Sequence, residues 1–298
     1  MKDRRISEEK RDRGIFPKLF LLILGGVIAC GRLSPNPGAG AMISVAKAEP
    51  LSLAFIANCG ALVSCGDSKV LIDALFDKPH PDYRAPAPEV LDKIMKGEAP
   101  FDGVDLVLVT HNHADHFDAA LAVRYMEARP EPVLLAPSDA VEAMRKAAAD
   151  WMKIAPRIVS LDLKVGEKEK KDVKQIPVTA FRTLHSGDRE APMNLMYLFE
   201  LDGWSVFHEG DSTGNPEAYQ GFGLGSARVD LALVHYWFPL DPNASRFLQE
   251  VLKPSHIALI HLPIRLESDA PSKIDQVRKY YKDIFLLLPG LPAKIMEK

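Results

Sequence analysis

Residues 110–118 read Thr-His-Asn-His-Ala-Asp-His-Phe-Asp and are rich in side chains that bind metals or transfer protons. Four of them fall within six positions: His111, His113, Asp115 and His116. Imidazoles and carboxylates are ligands that zinc and related divalent ions take in proteins. The sequence therefore predicts a metal site in this stretch.

The stretch follows an apolar run, residues 104–109, with the length and Val/Leu content of a buried strand. α/β proteins place their chemistry at the carboxyl ends of such strands. Three later candidate ligands also stand at the ends of predicted strands: His185, Asp211 and His261. We therefore expect these side chains to meet the histidine-rich stretch at one edge of the fold.

One zinc ion takes about four ligands, so a set of this size divides between two ions. His111 and His113 are two positions apart and can face the same way. Asp115 and His116 lie further round the loop and suit a neighbouring ion. The spacing thus favours a centre with two metal ions.

The elements that must position these residues come in two successive series. Strands are predicted at 51–56, 61–64, 70–72, 106–109 and 133–136, and then at 178–181, 195–200, 205–208, 231–234 and 257–260. Helices are predicted at 89–96, 118–128, 138–153, 244–252 and 272–282. The charged run 167–172 is interpreted as a solvated turn between the halves. This order predicts an α/β protein, a four-layer αββα sandwich with two sheets face to face and helices outside.

The composition is that of an ordinary globular protein, with 298 residues, of which 47% are hydrophobic and 26% charged. The formal net charge of −3 argues against nucleic acid as a partner, because nucleic-acid binding asks for a basic surface.

The first 30 residues have the pattern of an export signal. Seven Lys/Arg residues precede the apolar stretch 19–29, which is too short to span a bilayer as a stable helix. The stretch ends Val-Ile-Ala-Cys-Gly and resembles the lipobox of bacterial lipoproteins, which implies that Cys30 is lipidated and becomes the mature amino terminus. Cleavage after Ala48, an uncleaved membrane anchor and a cytosolic chain are the alternatives.

On this interpretation the chain is an exported, membrane-anchored lipoprotein on the periplasmic or outer face. Residues 1–30 form the signal, residues 31–50 a flexible tether and residues 51–298 the functional domain. Cys59 and Cys65 could pair in an oxidising compartment or remain as reduced, half-buried thiols, and the sequence does not choose between these states.

The ordered set of candidate ligands resembles the metallo-β-lactamase superfamily of binuclear hydrolases, from about residue 51 to the carboxyl terminus. The residues that carry this resemblance are His111-x-His113-x-Asp115-His116, then His185, Gly210-Asp211 and His261. It implies one ion held by His111, His113 and His185, a second held by Asp115, His116 and His261, and Asp211 bridging the two. Asp73, in Leu-Ile-Asp, resembles the early Asp that braces the metal loop in this family.

The resemblance also implies the chemistry: a hydroxide bridged between two ions attacks an ester-type bond, with Asp115 orienting it. Zn²⁺ suits the ligands best, with Mn²⁺ or Fe as alternatives. Asp211 stands where some zinc β-lactamases have Cys, and His113 where diiron flavoproteins usually have Glu. The pattern is most similar to the compact branch that contains ascorbate-phosphate lactonases. A small anionic or ester-like substrate, with a phosphodiester or lactone bond, is favoured over a β-lactam.

A different class of function is a tethered binding protein that holds an anionic ligand at the two ions without turnover. His235 has two interpretations: a residue lining the pocket and donating a proton to the leaving group, or the capped end of a strand. His208 is interpreted as a structural partner of the site, and His256 as a residue at the far end of its strand.

Overall fold

Two seven-stranded sheets form the centre of the computed structural model, which describes residues 49–187 and 192–298. The first sheet consists of β1 (Leu51–Ala57), β2 (Gly60–Cys65), β3 (Ser68–Ile72), β4 (Leu106–Leu108), β5 (Val133–Pro137), β6 (Ile158–Leu161) and β14 (Lys294–Met296). The second consists of β7 (Lys168–Val173), β8 (Ile176–Thr183), β9 (Asn194–Leu201), β10 (Trp204–His208), β11 (Leu231–His235), β12 (His256–Ile260) and β13 (Ile284–Leu286).

Each sheet has a parallel half that sends its carboxyl ends to a common edge. The order of the first sheet is β14-β1-β2-β3-β4-β5-β6, with β3 to β6 parallel. The order of the second is β13-β12-β11-β10-β9-β8-β7, with β10 to β13 parallel. The loops that follow parallel strands are where α/β proteins gather functional side chains.

The inner faces of the two sheets share one apolar core. Leu53 and Val63 of the first sheet and Tyr197, Phe199 and Trp204 of the second belong to it and are almost completely buried. Full burial of such side chains contributes roughly 1.5–3 kcal/mol each. Because side chains alternate along a strand, neighbouring residues face outward and need a second covering layer.

Helices provide that layer on both sides. The first sheet is covered by α1 (Pro88–Lys96), α2 (Ala119–Ala128) and α3 (Ser138–Ala147), and the second by α4 (Pro242–Arg246), the π-helical turn Phe247–Leu252 and α5 (Ala270–Val277). Asp118 caps α2 by accepting a hydrogen bond from the Leu121 amide at 2.7 Å. The layers are therefore helix, sheet, sheet and helix, and the predicted αββα sandwich is confirmed.

The structure corrects three details of the sequence interpretation. The charged run 167–172 is not a turn: Lys168–Val173 forms edge strand β7, whose residues alternate between exposed and partly buried. Charged side chains are common on sheet edges because they discourage pairing with other chains. Helix α3 ends at Ala147, not at 153, because Ala148 is extended and a separate short helix follows at Trp151–Lys153. The helix predicted at 272–282 is α5, Ala270–Val277, followed by a 3₁₀ turn.

The predicted signal at 1–30 and nearly all of the predicted tether at 31–50 lie outside the described residues. Within residues 49–187 and 192–298, no helix combines the length and the apolar character needed to cross a membrane. Cys59 and Cys65 are both free and buried.

We expect Phe199→Ala to lower the free energy of unfolding by about 3–5 kcal/mol, because the fully buried ring lies between the two sheets and its removal leaves a cavity. Urea denaturation followed by circular dichroism measures this. Tyr280→Ala, at a residue 62% exposed, is the control and should change the value by less than about 0.5 kcal/mol. If Phe199→Ala also changed the free energy of unfolding by less than about 0.5 kcal/mol, the conclusion that the two sheets share one core would be wrong.

Candidate metal centre

The carboxyl ends of strands from both sheets bring together all seven ligands expected from the sequence. His111, His113, Asp115 and His116 lie in the loop between β4 and α2, and the second sheet provides His185 after β8, Asp211 after β10 and His261 after β12. The Asp211 carboxylate lies 3.3 Å from the Nε2 atoms of His116, His185 and His261 and 3.8 Å from that of His111.

The first group of potential ligands consists of His111, His113, His185 and Asp211. One ligand atom from each lies within 4.8 Å of all the others. His111 Nε2 is 3.1 Å from His113 Nδ1, and His185 Nε2 is 3.3 Å from Asp211 Oδ2. Three imidazole nitrogens and a carboxylate oxygen at these distances can surround one tetrahedral ion.

The second group is built around His116, His261 and Asp211, and it includes Cys59, which the sequence interpretation missed as a candidate. His116 Nε2 is 3.3 Å from Asp211 Oδ1. Asp115 Oδ2 lies 3.4 Å from His261 Nε2 and 3.7 Å from His116 Nε2. Asp211 belongs to both groups, because its Oδ1 lies near His116 and its Oδ2 lies near both His185 and His261 at 3.3 Å, so its carboxylate is placed where a bridging ligand would be.

Outer partners orient the imidazoles through their Nδ1 atoms. His116 Nδ1 lies 2.9 Å from Asp73 Oδ2, and His185 Nδ1 lies 2.7 Å from the Ser186 carbonyl oxygen. Asp73 also accepts hydrogen bonds from the Thr110 amide at 2.8 Å and its hydroxyl at 2.6 Å. Asp73 therefore braces the loop, as the sequence predicted. With Nδ1 engaged, each of these rings presents Nε2 to the centre.

Several atoms that face the centre are buried and have no hydrogen-bond partner among the described residues: the Nε2 atoms of His116, His185 and His261, and Oδ1 of Asp211. A buried polar atom without a partner costs about 1–3 kcal/mol. A cluster of such atoms is stable only if something else satisfies them. Imidazole and carboxylate donors that converge in this way fit divalent ions such as Zn²⁺.

The pKa shifts of these groups favour the binding of cations. Burial lowers the pKa of His111 well below its usual value, so this ring is a neutral donor. Burial alone would raise the pKa of Asp211, but the imidazoles of His261 and His116 outweigh it and hold this pKa well below its usual value. Burial opposes the charged form of His116, yet the Asp211 carboxylate raises its pKa well above the usual value. A metal ion competes with that proton for the same position.

The backbone before Asp211 requires glycine. Gly210 has a φ of 59°, and a Cβ there would lie 2.6 Å from Asn194 Oδ1 and 2.9 Å from the Leu195 carbonyl oxygen. The Asp211 amide donates to Asn194 Oδ1 at 3.0 Å, and the Ser186 amide donates to the Asp211 carbonyl at 2.7 Å. These bonds join the loops after β8 and β10 and fix the direction of the Asp211 side chain.

His235 lies between two carboxylates. Its Nδ1 is 2.7 Å from Glu209 Oε1 and its Nε2 is 3.2 Å from Asp211 Oδ1, and both His235 and Glu209 are almost completely buried. Burial opposes its charged form, but Glu209 and Asp211 raise the pKa of His235 to about 10. This geometry favours a role in positioning Asp211 over contact with a substrate, and the proton-donor role stays a prediction. The sequence assigned no role to Glu209.

His208 and His256 agree with the sequence interpretation. His208 contacts the Cys59 carbonyl oxygen through Nε2 at 3.3 Å and accepts from the Gly210 amide through Nδ1 at 3.1 Å, so it links two loops of the site. His256 pairs with Asp283 at 2.9 Å at the amino end of β12, the end opposite His261.

A cleft of about 800 Å³ lies near the centre, and Tyr83 connects the two. Tyr83 lines it and packs edge-on against the His261 ring, with ring centroids 4.4 Å apart. Much of the remaining lining is apolar, including Phe55, Ile264 and Leu291. Arg84 also lines the cleft and forms two hydrogen bonds with Glu267, at 2.6 and 2.7 Å.

The fold and the ligand set agree with comparisons to known proteins. The family pattern described as the beta-lactamase superfamily domain matches residues 68–265. The chain belongs to the metallo-β-lactamase superfamily. At the level of enzyme class it is a metal-dependent hydrolase, as the sequence predicted. It is 24% identical over 195 residues to a metal-dependent hydrolase of Thermococcus onnurineus, an alignment that covers 62% of this chain and 80% of that protein.

Solved structures confirm the fold of the superfamily. The metallo-beta-lactamase fold protein YhfI from Bacillus subtilis has a TM-score of 0.56 at 16% identity, with 83% of this chain and 100% of that chain covered. Igni18, a metallo hydrolase from Ignicoccus hospitalis, has a TM-score of 0.55 at 19% identity, with 84% of this chain and 99% of that chain covered.

We expect Asp73→Asn to weaken binding of one metal ion by about 10–100-fold, the usual effect of removing a partner that orients a ligand. The affected ion is the one nearer His116, whose Nδ1 contacts Asp73. Zinc titration followed by calorimetry measures both affinities. Asp230→Asn, at a buried carboxylate that accepts from the Ser205 amide, is the matched control and should leave both unchanged. Equal affinities in Asp73→Asn and wild type would contradict the bracing role.

Proposed function

We propose that this hydrolase cleaves an ester-type bond, a phosphodiester or a lactone, at a centre that holds two divalent ions. The observation that carries the proposal is the position of Asp211, whose Oδ1 lies 3.3 Å from His116 Nε2 and whose Oδ2 lies 3.3 Å from His185 Nε2. One carboxylate shared by two groups of imidazoles supports a bridging ligand. Zn²⁺ fits this set of nitrogen and oxygen donors best.

His111, His113 and His185 would hold one ion, Asp115, His116 and His261 would hold the other, and Asp211 would contact both. When bound, such a pair of ions activates a water molecule as nucleophile and stabilises negative charge on the oxygen of the attacked group. The protein keeps the ligands in place through the outer contacts of Asp73 and the Glu209–His235 pair.

Asp115 is suited to orient the attacking water. Its Oδ2 accepts a hydrogen bond from Asn58 Nδ2 at 3.0 Å, which fixes the carboxylate beside His261. Burial alone would raise its pKa, but His261 and His116 lower the pKa of Asp115 to about 2, so the carboxylate is ionised at neutral pH. An ionised, fixed carboxylate accepts a hydrogen bond from the water and turns its lone pair towards the substrate.

The cleft beside Tyr83 supports a substrate with an apolar group next to the bond that is cut. Its lining by Phe55, Ile264 and Leu291 favours apolar contact, while the centre attracts the polar ester group. Specificity would then depend on the loop at 77–88, because Tyr83 and Arg84 lie in it and line the cleft.

Asp211→Ala should lower hydrolysis of ester-type substrates by more than about 100-fold, beyond the range typical of residues that only support ligands. It should also reduce bound metal below two ions per chain, because neither group keeps its carboxylate. Elemental analysis and turnover of a panel of phosphodiesters, lactones and thioesters measure both. Asp283→Ala, a carboxylate that pairs with His256 away from the centre, should retain both properties. Unchanged turnover in Asp211→Ala would exclude the bridging role.

We further propose that the protein is exported and anchored to the membrane through Cys30. The support is the basic segment, the short apolar stretch and the lipobox-like Val-Ile-Ala-Cys-Gly in the sequence. Mass spectrometry of the amino terminus after expression in bacteria should show a lipidated Cys30, and Cys30→Ser should prevent this processing. A mature chain that begins after Ala48, or one that keeps Met1, would contradict the anchor.

A further inference from the structure

We propose that Cys59 is a sulfur ligand of the ion held by His116 and His261, and that it makes this half of the centre selective for thiophilic divalent ions. The inference deepens the proposed function and rests on its two-ion centre. It concerns a residue from the turn between β1 and β2, far in sequence from the other ligands. The expected ions are Zn²⁺ or Co²⁺ in preference to Mn²⁺ or Mg²⁺, because thiolates are soft ligands.

The position of the thiol carries the proposal. Cys59 Sγ lies within 4.8 Å of the ligand atoms of His116, Asp211 and His261, and these four atoms are all within that distance of one another. Cys59 is completely buried and free. Imidazole nitrogens, carboxylate oxygens and a thiolate sulfur are all ligands that zinc takes, and Cys59 would be the fifth donor to this ion beside His116, His261, Asp211 and Asp115.

Buried polar atoms near the thiol are a second, independent indication that an ion binds here. His116 Nε2, His261 Nε2 and Asp211 Oδ1 are buried and have no hydrogen-bond partner among the described residues. These three side chains and the Cys59 thiol form one compact group of potential ligands. An ion there satisfies all of these atoms together, which hydrophobic packing of the thiol would not do.

The turn that carries Cys59 is fixed at each of its three residues. Asn58 donates from Nδ2 to the backbone oxygen and to Oδ2 of Asp115, both at 3.0 Å, and its carbonyl accepts from the His261 amide at 3.0 Å. The Cys59 carbonyl contacts His208 Nε2 at 3.3 Å. A Cβ on Gly60 would lie 2.7 Å from the Asp73 carbonyl oxygen, so glycine permits this close approach. These contacts hold the Cys59 backbone beside the centre.

The other described cysteine shows the contrast. Cys65 ends β2, and its thiol donates to the Glu49 carbonyl oxygen at 3.5 Å. Cys65 is absent from both groups of potential ligands in the described part of the chain. It therefore provides a matched control, because it is a buried free thiol in the strand that follows Cys59 but does not belong to the centre.

The test is cobalt titration of the metal-free full chain, followed by absorption spectroscopy. A sulfur ligand gives an intense near-ultraviolet charge-transfer band that nitrogen and oxygen ligands do not give. We expect the band in the wild type, in Cys65→Ser and in Cys30→Ser, and its loss in Cys59→Ser and Cys59→Ala. The Cys59 variants should still bind two ions, and their preference for Zn²⁺ over Mn²⁺ should fall by at least about 10-fold.

X-ray absorption at the zinc edge of the wild type provides a second measurement that needs no variant. It should show a zinc–sulfur distance of about 2.3 Å at half a sulfur per zinc. Two bound ions without sulfur, or a cobalt band that persists in Cys59→Ser, would overturn the role of Cys59 and leave the two-ion hydrolase intact. A chain that binds no ion would overturn both proposals.

Discussion

The structure depends on one buried carboxylate, Asp211, which is surrounded by imidazoles. Five histidine Nε2 atoms lie between 3.2 and 3.8 Å from its oxygens, those of His111, His116, His185, His235 and His261. A buried charge is costly unless it is paired and hydrogen-bonded. Here the compensation comes from nitrogen donors arranged on two sides, and this arrangement makes one carboxylate the common member of two groups of ligands.

The backbone that places the ligands around Asp211 is locally strained. Asp73 and His261 are not glycines, yet they have positive φ values of 42° and 59°. Such conformations are uncommon outside glycine and concentrate at functional sites, where surrounding contacts determine them. The contacts are present here: Asp73 binds Thr110 and His116, and the His261 amide donates to Asn58. Gly210, with a φ of 59°, provides the remaining turn without a side chain.

Local sequence was sufficient for much of the fold and for the set of residues that the structure brings together at the centre. The apolar runs and their alternation with helices predicted ten of the fourteen strands in the described residues, because these signals act over a few residues, but they missed β6, β7, β13 and β14. The histidine-rich stretch was visible because its members are within six positions of each other. What could not be predicted depends on contacts between distant residues. Asn58 and Asp115 are 57 positions apart, so nothing near either residue shows that the turn at 58–60 contacts the centre. The charged strand β7 was missed for a related reason, since its pairing with β8 decides its conformation.

The central claim is that Asp211 lies between two metal ions, and anomalous diffraction at the zinc absorption edge tests it most directly. Crystals of the zinc-loaded protein should show two anomalous peaks about 3.5–4 Å apart, the separation typical of two-metal hydrolytic sites. One oxygen of Asp211 should lie within bonding distance of each peak, about 2.0–2.2 Å. A single peak, or two peaks of which one lies away from Asp211, would contradict the account.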